Sequence, residues 1–184
     1  MKEVMNTAKE KMQKTVNVLD KDFAAIRAGR ANPNVLDKVT VDYYGTPTPI
    51  GQMATVSVAE ARVLTIQPWD KTQLKPIEKA IQASDIGINP TNDGSMLRLT
   101  FPQLTEERRK ELSKTVSKKG EEAKVSVRNV RRDAMDEYKA LKKKNEITED
   151  DLKAAEKEIQ DLTDMKIKEI DAITEKKQKE IMSI

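Results

Sequence analysis

All seven prolines of this 184-residue chain fall between Pro33 and Pro102. Proline removes a backbone donor and clashes with the preceding helical turn, so long uninterrupted helices belong to the flanks. The same window holds Trp69, Phe101, the Tyr43–Tyr44 pair and four of the six glycines. So sharp a shift in composition marks a domain boundary on each side. The sequence therefore predicts an α+β protein of two domains. One is a long antiparallel three-helix bundle, discontinuous in sequence, from residues 1–30 and 105–184. The other is a small β/α/β domain inserted at 31–104.

In the first flank Met5, Met12, Val16, Leu19, Phe23 and Ile26 recur mostly at spacings of three and four, the stripe of a helix facing one partner. Gly29 and the "ANP" that follows predict its end. A second helix opens at "LTEERRKEL", with Thr105 as candidate N-cap. It carries the seam Leu112, Val116, Ala123, Val127, Val130, Ala134, Tyr138 and Leu141. No role for Gly120 inside that helix follows from the sequence. "NEIT" breaks the pattern, and a third helix starts after Thr148 with "EDD" at the positive end of its dipole. The short connection makes helices two and three antiparallel neighbours.

Within the insert, "KVTVDYYG" and "MLRLTF" alternate with period two, and "TVSV" and "RVLTIQP" are short β-rich runs. "KTQLKPIEKAIQAS" is a helix candidate, while "GTPTPIG" and "NPTNDG" carry turn chemistry. The insert joins the bundle through two strands of chain. Arg30, Ala31, Asn32, Pro33, Pro102, Leu104 and Thr105 are thus the expected hinge.

Several functions are excluded by composition. Without histidine or cysteine there is no Ser–His–Asp or Cys–His nucleophile system and no usual zinc site. No GxxxxGK[ST] or GxGxxG loop is present to cradle a phosphate. The acidic "EITEDDL" lacks the glycine and alternation of a calcium loop. The expectation is a non-enzyme without metal or cofactor. No apolar run approaches the roughly 20 residues of a membrane span, and the N-terminus lacks a signal-peptide core, so a soluble, cytoplasmic protein is expected.

Charge is unevenly spread. Residues 105–144 carry 14 basic against 8 acidic side chains, whereas 145–184 carry 7 against 12. Within the basic segment, "KVSVRNVRR" sets Lys124, Arg128, Arg131 and Arg132 beside the apolar seam. Spacings of three and four crowd the arginines on one side of a helix. Two readings stand open on these residues alone. One is a solvated flank whose arginine stems cover the seam, as in a helical adaptor for protein partners. The other is a phosphate contact line; lacking interleaved aromatics, it would read a nucleic-acid backbone and shape rather than bases.

The runs "IRAGRANPNVLDKVTVDYYGTPTPI" (26–50), "EKAIQASDIGINP" (78–90), "LTEERRKEL" (104–112) and "VRNVRRDA" (127–134) closely resemble the bacterial ribosome recycling factor family, in order along essentially the whole chain. The resemblance implies an L-shaped, tRNA-like outline and a monomeric factor. With elongation factor G and GTP it would split the post-termination ribosome into subunits and release it from mRNA. It also implies that the helical arm lies on large-subunit ribosomal RNA. Arg128, Arg131 and Arg132 are the expected contacts, with Asn129 and Arg109 as secondary contacts, and Arg27 and Arg30 near the hinge, where Arg109 also gathers.

Overall fold

The computed structural model describes residues 1–26 and 28–183, which divide into two compact units, Met1–Ile26 with Glu107–Ile184 and Arg27–Glu106. The first unit holds three long helices: α1 (Lys2–Ala25), α3 (Glu106–Lys143) and α4 (Glu149–Met182). The second holds β1 (Thr40–Tyr43), β2 (Thr46–Pro49), β3 (Ala54–Glu60), β4 (Val63–Pro68), α2 (Leu74–Gln82), β5 (Thr91–Asn92) and β6 (Leu97–Thr100).

In the helical unit the sequence stripe becomes the core. Met5, Ala8, Met12, Val16, Leu19 and Phe23 of α1 are buried, and so are Val116, Ala123, Val127, Ala134 and Tyr138 of α3. α1 ends earlier than predicted. Ile26 is already extended, and its N–H turns back to the Phe23 carbonyl in a tightened last turn (3.1 Å). Gly29, at φ +75°, follows outside the helix.

The α3–α4 corner is closed from both sides. Asn145 adopts φ +57°, its N–H reaches the Lys142 carbonyl (2.9 Å), and the Glu146 N–H reaches Leu141 (3.0 Å). This pair of bonds satisfies carbonyls that the end of α3 would leave bare. Thr148 then opens α4 with a capping box: its hydroxyl accepts the Asp151 N–H (3.1 Å), and the Asp151 carboxylate accepts the Thr148 N–H (3.0 Å). Hydrogen bonds donated to the Asp151 carboxylate by the Thr148 N–H, and secondarily by its hydroxyl, hold that carboxyl below the usual aspartate range. The helices so joined run antiparallel. Gln178 of α4 lies beside Ser113 of α3, Asp171 beside Lys124, Gln160 beside Arg131, and Lys142 pairs with Glu149.

Gly120 acquires a role here. A Cβ placed on it would meet the Thr174 hydroxyl oxygen of α4 at 2.6 Å and its methyl at 3.1 Å. Only glycine lets the two helices approach this closely.

The second unit is an antiparallel sheet ordered β3-β4-β6-β5, a β1–β2 hairpin, and α2. Period-two alternation on β4 and β6 points Leu64, Ile66, Leu97 and Leu99 inward, paired across the strands as Leu64 with Leu99 and Ile66 with Leu97. α2 covers them with Leu74, Ile77 and Ile81. The two stretches predicted as turns are in part strands. Within "GTPTPIG", Thr46–Pro49 forms β2, paired back on β1 across a two-residue turn at Tyr44 (φ +49°) and Gly45 (φ +82°). Within "NPTNDG", Thr91–Asn92 forms β5 at the sheet edge. Proline is tolerated in β2 because that strand pairs on one side only.

Both chain ends of this unit are fastened to one turn. The Ala31 N–H donates to the Ala61 carbonyl and the Phe101 N–H to the adjacent Arg62 carbonyl, each at 2.8 Å. Asn32 caps a short 3-10 turn over Pro33–Leu36 by accepting the Asn34 N–H (3.0 Å). Pro102, Leu104 and Thr105 continue from β6 without regular structure.

Candidate nucleic-acid interface on α3

α3 has 38 residues and so is about 57 Å long at 1.5 Å per residue. Its buried seam turns one flank, bearing Arg128, Arg131 and Arg132, away from the core. Arg128 and Arg132 are exposed and form no hydrogen bond or ion pair among the described residues. Arg131 is half-buried and leans onto α4, its guanidinium donating to the Gln160 side-chain oxygen (3.0 Å). The Gln160 amide is itself oriented by Asp164 (2.9 Å). Arg131 thereby holds the α3–α4 edge while its neighbours project two solvated, planar, five-donor heads.

Lys124 leaves the stripe to which its spacing assigned it. Its ammonium sits between Glu121 (2.7 Å) and Asp171 (2.9 Å), and its side chain is 15% exposed. The hydrogen bonds to Glu121 and then Asp171 raise its pKa and keep it charged. The charge is spent inside the bundle rather than offered to a partner. Tertiary contact decided this, because Asp171 lies 47 residues further along the chain.

Asn129 is exposed next to the arginines. Arg109 is on the same helix but 19 residues earlier, about 28 Å away along the axis, and is half-buried. Arg30 is exposed in the second unit, and Arg27 lies outside the described residues. The structure thus brings together Arg128, Arg131, Arg132 and Asn129. Exposed cations absent from the sequence-based set continue their flank, Lys139 seven residues beyond Arg132 and Lys143 eleven beyond it. The i+7 and i+11 spacings were the available signal.

Among the described residues no cluster of three or more acidic side chains is arranged to hold a metal, and no helix is long and apolar enough to cross a membrane. The candidate face offers fixed positive charge, Arg128 and Arg132, on one long helix. The model of the family described as ribosome recycling factor matches residues 19–182. The chain belongs to the ribosome recycling factor family.

The ribosome-recycling factor of Caldicellulosiruptor bescii is 60% identical over 184 residues, covering all of both chains. That of Clostridium kluyveri is 58% identical over the same length. Among solved structures, the solution structure of a ribosome recycling factor aligns with a TM-score of 0.82 at 41% identity, covering 100% of this chain and 97% of the other. A second, with a TM-score of 0.65 at 46% identity and coverage of 98% and 97%, comes from models for the T. thermophilus ribosome recycling factor and the E. coli elongation factor G bound to the E. coli post-termination complex. Long helices with a small sheet domain are thus the fold of the family as well as of this chain.

Proposed function

We propose that this ribosome recycling factor grips large-subunit ribosomal RNA through α3 and, with elongation factor G and GTP, splits the post-termination ribosome and frees it from mRNA. The observation that carries the RNA contact is the pair of exposed guanidiniums, Arg128 and Arg132, with no partner among the described residues. Solvated arginines lose little on meeting a phosphate, and their planar forks match its oxygens two at a time. The adjoining seam fixes the backbone that bears them, so the cost of ordering falls mainly on the side chains.

In this reading the helical unit is the anchor and the sheet unit receives the push from elongation factor G. Force passes through the two linking segments, around the hinge expected at residues 30–34 and 101–105. Ala31 and Phe101 are hydrogen-bonded into the sheet unit, so bending concentrates outside them. GTP hydrolysis belongs to the partner, and the site of action is the cytoplasm.

Changing Arg128, Arg131 and Arg132 together to alanine tests the anchor. Alanine is the best helix former, so helix content is retained. Each lost phosphate contact lowers the slope of log affinity against log salt by roughly 0.7–0.9. The variant therefore binds purified large subunits more weakly, with a salt slope shallower by about 2, since two of the three arginines are unengaged. Unchanged affinity and slope would make the stripe a solvated flank.

A further inference from the structure

The sheet unit carries a feature that RNA anchoring does not use. Trp69, the single tryptophan of the chain, is 68% exposed at the end of β4. It is nonetheless held still: its indole N–H donates to the Thr55 hydroxyl (2.9 Å) and its backbone N–H to the Met53 carbonyl (3.2 Å). Beside it lies a hollow of about 140 Å³ whose walls include Tyr43, Met53, Asp70 and Gln73. The Tyr43 ring is braced edge-on by Tyr44, with centroids 4.6 Å apart.

Two acceptor-bearing residues line this aromatic hollow, Asp70 with an accessible carboxylate and Gln73 with an enclosed carbonyl oxygen. The Gln73 side-chain oxygen is buried and has no hydrogen-bond partner. Its assignment as oxygen is consistent with its surroundings. The Thr72 hydroxyl gives its proton to Asp70 Oδ1 (2.7 Å), leaving only lone pairs for the Gln73 amide nitrogen at 3.5 Å. Asp70 Oδ1 also accepts the Thr72 N–H (3.0 Å), whereas Oδ2 accepts nothing among the described residues.

We propose that this hollow receives an arginine side chain from a protein partner. A guanidinium supplies what the walls lack: a cationic face for the Trp69 or Tyr43 ring and an N–H edge for Asp70 Oδ2. The volume is well below the roughly 300–1,000 Å³ of small-molecule sites, so it suits one side-chain head. Aromatic surfaces also stack nucleobases, but here the Asp70 carboxylate on the wall repels a phosphate. The inference is independent of the RNA reading, since the hollow and the arginine stripe occupy different units.

Trp69 is its own reporter. Its fluorescence is followed in the full chain at constant ionic strength against N-acetyl-arginine amide, its uncharged isostere N-acetyl-citrulline amide, and AMP. Arginine produces a saturable change, and citrulline binds at least about fivefold more weakly, the scale of losing a charge-assisted hydrogen bond. Asp70→Asn, which keeps an acceptor for the Thr72 N–H, weakens the arginine response by a similar factor. Gln73→Leu, which leaves that cap and the carboxylate untouched, keeps the arginine response within about twofold. A linear response of equal slope for arginine and citrulline overturns the proposal. So does saturation unaffected by Asp70→Asn, or saturation by AMP alone.

Discussion

Replacing Gly120 with alanine separates intrinsic helix propensity from tertiary fit in a single residue. In an isolated helix the change stabilises by about 1 kcal/mol, because glycine surrenders more backbone freedom. Here the new methyl falls 2.6 Å from Thr174 Oγ1, 3.1 Å from Cγ2 and 3.4 Å from Cβ. Thr174 has little room to yield. Its hydroxyl is bonded to the Ile170 carbonyl (2.7 Å), and rotation about χ1 only exchanges one branch for another near the same spot. Overpacking of this kind costs roughly 1–3 kcal/mol. Set against the propensity gain, Gly120→Ala is expected to destabilise by about 1 kcal/mol.

Thr174→Ala removes both offending atoms and leaves only Cβ, at a distance close to ordinary contact. In the double variant the helix gain should reappear, so the two substitutions couple favourably by about 1–2 kcal/mol in a double-mutant cycle. Urea unfolding followed by far-ultraviolet circular dichroism on the four proteins measures this. A single Gly120→Ala variant more stable than the parent, with no coupling to residue 174, would refute the close approach of α3 and α4.

The remaining expectations concern the hinge and the α4 cap. The chain lacks cysteine, so a pair introduced across the two units, one in the insert and one near the start of α3, can be oxidised without background. The locked protein should still bind large subunits, and splitting by elongation factor G and GTP should fall and recover on reduction; full activity when locked would remove the hinge from the mechanism. Thr148→Ala should cost about 1 kcal/mol by removing the α4 cap, read as a lower urea midpoint. Asp151 adds a pH dependence of definite sign: its folded pKa is depressed, so its support is present above the ordinary 3.8 and is lost as pH falls through the lower folded value. Thr148→Ala should lose less stability than the parent across that acid range.

What the sequence determined by itself is whatever depends on local period and backbone chemistry. Proline confined to 33–102 fixed where long helices could run, and spacings of three and four named the buried stripe from Met5 to Phe23. Thr148 with its acidic first turn announced the start of α4, since a cap is made by residues three apart. The arginine cluster was equally visible, because its members lie within five residues of one another. Tertiary structure decided what depends on distant partners. "GTPTPIG" looks like a turn, yet Thr46–Pro49 becomes a strand because β1 offers it a ladder. Lys124 resembled its arginine neighbours until Asp171 was brought to 2.9 Å from it. Gly120 was only a cost until Thr174 stood where its Cβ would be. The acceptors around Trp69 gained meaning only once β4 and the turn leading to α2 had folded against Tyr43 and Met53. A side chain's type sets what it can offer. Which of those offers is already taken depends on packing between residues far apart in the chain.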